Sequence, residues 1–210
     1  MRTAEPDELW HIDTTIIRLV DGTRVYLHAV IDNFSRRILA WRVTDSSAVV
    51  TTVAILRDAV QGAAARDESP TLVADAGVEN VNAGVDELIE TGILSRVLAL
   101  RDVTFSNSMI EAWWRTLKHQ WLFLNTLDSA ATVRRLVSFY VAAHNEEIPH
   151  SAFRGQTPDE VYYGRGSGVP EHLEAAKARA WATRLEANRL ASCGICQNLR
   201  SLDQTSLAAA

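Results

Sequence analysis

The pattern of hydrophobic and polar positions divides the chain into a front part read mainly as strands and a back part read as helices. In "LWHIDTTII" (9–17) the side chains alternate. Trp10, Ile12, Thr14 and Ile16 fall on one side and His11, Asp13, Thr15 and Ile17 on the other, the period of a β-strand. The turn residues "DGT" (21–23) lead into "RVYLHAVIDNF" (24–34), rich in β-branched and aromatic residues, and "RRILAWRVTD" (36–45) reads as a third strand. Connections this short join antiparallel neighbours, so a three-stranded meander is expected. The period then changes: Val49, Val53, Leu56 and Val60 repeat at helical spacing between Ser46/Ser47 and Gly62. Pro70 precedes "TLVAD" (71–75), a short apolar run of the kind that forms a buried parallel strand, ending at Asp75. A helix follows, capped by Asn80 or Asn82, with Val81, Val85, Leu88 and Ile89 inward and Gly92 closing it. "ILSRVLAL" (93–100) reads as a fifth strand.

In "SNSMIEAWWRTLKHQW" (106–121) the helical period places Ile110, Trp113, Trp114, Leu117, Trp121 and Leu124 on one core-facing stripe. Glu111, Arg115 and Lys118 share a different face, and Asn107 lies one turn before Glu111. Ser129 caps a further helix whose stripe is Val133, Leu136, Val137, Tyr140 and Val141. "HNEEIPHSAFRGQTPDEVYYG" (144–164) is a loop ending in a short helix begun by Thr157 and Pro158. The Gly, Ser and Pro content of 164–170 marks a linker. Residues 171–190 then form an Ala- and charge-rich helix, with Leu173, Trp181 and Leu185 suited to docking, and a loose tail is expected beyond it. The domain division expected is residues 1–164 and 165–210. The element order is that of an α/β fold, a mixed five-stranded sheet flanked by helices.

Composition narrows the class. The 210 residues, 47% hydrophobic and 22% charged, suffice for one well-packed domain plus an appendage. No apolar run approaches the roughly 18 residues of a membrane span, and the N-terminus lacks the apolar segment of a signal peptide. A cytoplasmic, nucleoid-associated protein with no membrane partner is expected. Cys193 and Cys196 form a lone Cys-x-x-Cys without nearby residues to complete a zinc site, so they read as tail thiols. The net charge of -5 does not by itself suggest a nucleic-acid partner, yet basic residues gather between Arg96 and Arg135, where they could serve phosphates.

Three acids stand out against this framework: Asp13 in mid-strand, Asp75 at the carboxyl end of a strand, and Glu111 on a helix. Open α/β sheets place ligands at the carboxyl ends of their parallel strands. Converging carboxylates repel and need protons or cations, and oxygen ligands without Cys or His partners select Mg²⁺ or Mn²⁺. Two such ions suit displacement at phosphorus.

The words around these acids make the match specific. The chain reads "WHID" at 10–13, "ADAG" at 74–77 and "NSMIEAWWRTLK" at 107–118, and 35 residues (positions 76–110) separate Asp75 from Glu111. "YLHAVIDNFSRRILAW" (26–41) and "HNEEIPHSAFRGQTPDEV" (144–161) complete the series. In these words the chain resembles the integrase catalytic core shared by retroviral integrases and many bacterial insertion-sequence transposases. That resemblance covers residues 9–164 or so and implies an RNase H-like fold. It implies that Asp13, Asp75 and Glu111 hold two divalent ions, and that Asn107, Arg115 and Lys118 lie near DNA, the last two on phosphates. It implies phosphodiester hydrolysis followed by strand transfer in DNA transposition, carried out by a homo-oligomer.

The match departs at Ile148, where the family has Arg before Pro-His, at His144, where it has Tyr, and at "LRDVTF" (100–105), which lacks the family's glycine. Transposases of this type usually carry an N-terminal helix-turn-helix region that recognises the element's ends, whereas this sequence starts almost directly at the first catalytic strand. Three expectations stand: a separate polypeptide supplies end recognition, the reading frame is a fragment, or the protein has been put to another use. Trp113 and Trp114 read as core residues rather than base-stacking platforms, His11 as structural, His150 as a loop residue and Glu79 as a solvent-facing turn residue. Two other functions compete: a catalytically silent DNA-binding or assembly module, and a stand-alone RNase H-like nuclease. Retention of all three carboxylates opposes the first, and the 144–161 word opposes the second.

Overall fold

The computed structural model describes residues 3–46, 49–63, 69–74, 82–98 and 108–206, the side chains of 98 and 192–206 excepted. Asp75, Glu79 and Asn107 lie outside the described residues. The strands are β1 (Leu9–Arg18), β2 (Arg24–Asp32), β3 (Ile38–Thr44), β4 (Thr71–Ala74) and β5 (Ser95–Leu98). The helices are α1 (Val49–Gly62), α2 (Ala83–Glu90), α3 (Ser108–Gln120), α4 (Ala130–Glu146), α5 (Pro158–Tyr162) and α6 (Val169–Ser206). The sheet runs in the order β3-β2-β1-β4-β5. β1 pairs antiparallel with β2, and β2 with β3, whereas β4 is parallel to both β1 and β5. The meander is the one the short connections predict, β4 is the parallel strand expected of the apolar run at 71–75, and β5 falls within the fifth strand read at 93–100.

Because successive strand residues face opposite ways, β1 feeds two cores. Trp10 and Ile12 join Val30, Leu72 and Ala74 beneath α1 and α2, whose Ile55, Leu56, Ala59, Val85 and Leu88 close that face. Ile17 joins Val25, Leu27, Ala29 and Ile31 on the opposite face, which α3 and α4 cover with Ile110, Trp113, Trp114, Leu117, Val133, Val137 and Tyr140. Asp13 shares the second face with Ile17 by the same alternation.

Caps follow the sequence closely. The Asn82 side chain accepts from the Gly84 and Val85 amides at the start of α2, both at 3.1 Å. Ser129 caps α4 through the Thr132 amide, and Thr157 and Glu160 form a reciprocal capping box at α5.

Two features differ from the sequence expectation. The α3 stripe does not extend to Leu124, which is exposed: the helix ends at Gln120 and a 3-10 turn over Leu122–Leu124 buries Leu122 instead. Trp121 adopts a non-helical backbone there, and its indole donates to the Leu136 carbonyl at 2.9 Å. The second difference is at the C-terminus, where the backbone stays helical through Ser206, past the segment expected to be a loose tail.

The chain divides into two compact units, Met1–Arg165 and Gly166–Ala210. The second consists largely of α6, on which Leu173, Trp181 and Leu190 are exposed. Among the described residues no helix is long and apolar enough to cross a membrane.

Candidate active site

Asp13 sits on β1, the central strand, level with Ala29 of β2. It is half-buried on the face covered by α3. The Trp114 indole donates to Asp13 Oδ2 at 2.9 Å, so the helix fixes the orientation of the carboxylate. Trp114 is itself held by burial against the sheet and by Trp113, whose ring centroid is 4.6 Å away. The stripe reading places both rings in the core, and both are buried, but it does not reveal that one N–H reaches an acid on another element.

Lys118, one turn beyond Trp114 on α3, is half-buried near Asp13. Burial lowers the pKa of its ammonium, and the attraction of the Asp13 carboxylate opposes that shift. Glu111 lies one turn before Trp114, exposed in the first turn of α3, where the positive end of the helix dipole favours a carboxylate. Arg115 is exposed on the same flank. One helix thus carries an acid, an indole anchor and an amine past Asp13. β4 approaches from the other side: Val73 is level with His11, two residues before Asp13 on the same face, and Ala74 directly precedes Asp75.

Among the described residues no three His, Cys, Asp or Glu side chains converge as a metal site, Asp75 being outside them. The donors present nonetheless fit a hard divalent cation. Asp13 and Glu111 supply only oxygen, the donor type that hard divalent cations take.

His11 is buried, with Nε2 bonded to the Asn33 side-chain amide at 2.9 Å, which is a structural role. His150 caps the 3-10 turn at Ser151–Phe153, its Nδ1 accepting from the Ala152 amide at 3.3 Å. The 144–161 word explains itself largely as scaffolding. Asn145 accepts from the Ile38 amide at 2.9 Å and donates to the Ile38 carbonyl at 3.0 Å, extending the edge of β3. His144 donates from Nε2 to the Arg36 carbonyl at 2.9 Å, a bond suited to its neutral ring, since burial pushes its pKa down. Asp159 pairs with Arg37 at 2.7 Å, and the Tyr162 hydroxyl donates to Asp7 Oδ2 at 2.6 Å, tying α5 to the sheet.

The fold agrees with comparisons to known proteins. Family models described as integrase core domain match residues 3–99 and 103–158. The chain is 21% identical over 159 residues to "Putative transposase InsK for insertion sequence element IS150" of Escherichia coli (strain K12), covering 76% of this chain and 56% of that protein. It is 26% identical over 157 residues to an uncharacterized protein of insertion element IS136 from Agrobacterium fabrum, covering 71% of this chain and 79% of that one. This chain therefore spans little more than half the length of the IS150 relative. Among solved structures, the HTLV-2 integrase catalytic core domain in complex with magnesium matches with a TM-score of 0.61 at 14% identity, over 77% of this chain and 99% of that one. A chain of the simian T-cell lymphotropic virus intasome in complex with PP2A regulatory subunit B56 gamma matches with a TM-score of 0.64 at 15% identity, over 77% of this chain and 56% of that one. Sheet order, flanking helices and family models agree: the chain belongs to the integrase core family and has the RNase H-like fold of the retroviral catalytic cores.

Proposed function

We propose that this chain is the catalytic core of a DNA transposase, cutting and joining phosphodiester bonds with Asp13, Asp75 and Glu111 as its acids. The observation that carries this reading is the Trp114 bond to Asp13, made by the same helix that presents Glu111. It fixes an acid on the central strand relative to an acid on α3, as a site that must hold ligands at set distances requires.

Mg²⁺ or Mn²⁺, as a pair held by Asp13, Asp75 and Glu111, would supply Lewis-acid activation of the attacking oxygen and stabilise the leaving one. The HTLV-2 core solved with magnesium supports a divalent cation for this chain. Lys118 and Arg115, on the flank of α3 that carries Glu111, hold backbone phosphates, with Asn107 nearby, and position the strand without reading its sequence. Water is the nucleophile in the first step and frees a 3′-hydroxyl. That hydroxyl is the nucleophile in the second, joining the end to target DNA. A homo-oligomer brings two ends together. The dimeric, trimeric and intasome forms of the retroviral neighbours support an oligomer.

The test is a calorimetric titration of Mn²⁺ into the parent protein, Asp75→Asn and Glu111→Gln, with a Mn²⁺-dependent plasmid-nicking assay on the same samples. Binding and nicking in the parent, both lost in the variants, are expected. Absence of Mn²⁺ binding in the parent would overturn the reading. Binding without nicking would assign nicking competence to the oligomer assembled on DNA ends.

A further inference from the structure

A cavity of about 480 Å³ lies on the other flank of α3, away from Asp13. Its α3 wall is Ser108, Met109, Ala112, Trp113 and Thr116, while α4 contributes Tyr140 and His144. Arg36, Ile31, Ile148 and His150 complete it. Among the described residues no carboxylate lines it, and Arg36, Trp113 and His150 give it N–H donors. Arg36 holds a left-handed backbone, φ 65°, and its half-buried guanidinium bonds the Asn33 carbonyl and the Met109 sulfur. Among the described residues it makes no ion pair. The nearby Asp32 carboxylate is taken up by the Asp7 amide and by both the amide and hydroxyl of Ser35.

His150 adds a second donor. Because Nδ1 accepts from the Ala152 amide, the neutral ring carries its proton on Nε2, which has no partner among the described residues. The Trp113 indole N–H, in the same wall, is buried without a hydrogen-bond partner among the described residues. Such orphaned donors are rare and call for an explanation. Ile31, Met109, Ala112 and Ile148 make the remaining surface apolar.

We propose that this groove binds a monoanionic carboxylate carried on an apolar body, with Arg36 and His150 on the oxygens and the apolar wall around the stem. One cation fits one negative charge. His150 stays neutral because burial and the adjacent guanidinium both lower its pKa, so a dianion would remain half-compensated. A planar carboxylate accepts the paired N–H groups of a guanidinium, and the apolar walls reward the body that carries it. A free acid and the C-terminal carboxylate of a peptide share this chemistry.

The groove lies on the flank of α3 away from Asp13, so its test needs no catalysis. The Trp113 Nε1–H resonance of ¹⁵N-labelled full-length protein would be followed during titration with 4-phenylbutyrate, N-acetyl-glycyl-phenylalanine, 4-phenylbutan-1-ol and dimethyl phosphate. Saturable shifts with the two carboxylates are expected, the tighter of them identifying a free acid or a chain terminus as the source. Arg36→Gln should weaken carboxylate binding by about tenfold to a hundredfold, the range for a hydrogen bond to a charged group. Ala112→Phe, which fills the groove from an exposed position, should abolish it even if Arg36→Gln disturbs folding. Equal binding of the alcohol, tighter binding of dimethyl phosphate, or unchanged carboxylate binding in Ala112→Phe would each overturn the proposal.

Discussion

Against one face of the sheet α1 and α2 bring Ile55, Leu56, Ala59, Val85 and Leu88; against the other α3 and α4 bring Trp113, Trp114, Tyr140 and His144. The helices over the first face contribute aliphatic side chains and the buried hydroxyls of Thr51 and Thr52, and carry none of the candidate site residues. The second adds to its aliphatic contacts side chains with an apolar body and a polar tip, and the tips of Trp114, Trp121 and His144 reach Asp13, Leu136 and Arg36. Burial and chemistry are therefore separable on one side of β1 and combined on the other. Amphipathic aromatic residues make this possible, because they contribute packing area and a directed hydrogen bond together.

Substitutions on the two faces should part company. The largest effect is expected for Glu111→Gln, which should lower metal-dependent nicking by more than about a hundredfold. Its exposed position should leave stability within about 0.5 kcal/mol of the parent. Comparable losses in melting and in rate would show that Glu111 supports the fold instead. Leu56→Ala, on the opposite face and fully buried, should cost about 2–5 kcal/mol in denaturant unfolding. The nicking rate per folded molecule should not change. A specific rate that fell with stability would erase the distinction between the faces.

Trp114→Phe keeps most of the ring and removes the bond to Asp13. It should lower the rate by about ten- to a hundredfold, as loss of a group orienting a ligand does. Measuring its melting beside its rate separates the anchor from the packing. The smallest effect concerns Asp32, fully buried, whose pKa is raised chiefly by burial and is opposed by its bonds to Ser35. A carboxyl that binds its proton more tightly when folded adds stability as pH falls through the raised value, levelling off near 3.8. Across that window the parent should gain stability relative to Asp32→Asn as pH falls. A difference that does not vary with pH would show that Asp32 titrates like an exposed acid.

Much of this was legible in the sequence for a physical reason. Alternation in 9–17 and the stripe from Ile110 to Leu117 are local consequences of backbone geometry, so the strands and α3 could be read directly. The same periodicity fails at Leu124, because a 3-10 turn changes the angle per residue without changing composition. Periodicity also assigns a ring to the core without giving the direction of its N–H, so the Trp114 bond to Asp13, across 101 residues, was not visible. The Tyr162 bond to Asp7 spans 155 residues and was hidden in the same way. The groove at Arg36 and His150 had a weak signal in the "DNFSRR" and "IPHSAF" words, but nothing local says that they meet.

The sharing of α3 between Glu111 and the tryptophans limits how the chain can vary in length. One residue inserted between Glu111 and Trp113 would turn the acid by roughly 100° relative to the rings and move it about 1.5 Å along the axis. The core would hold its register and the carboxylate would point elsewhere. Loops such as the 21–23 turn can lengthen at little cost, whereas the thirteen residues of α3 act as a ruler that tolerates exchange of letters and no change in their number.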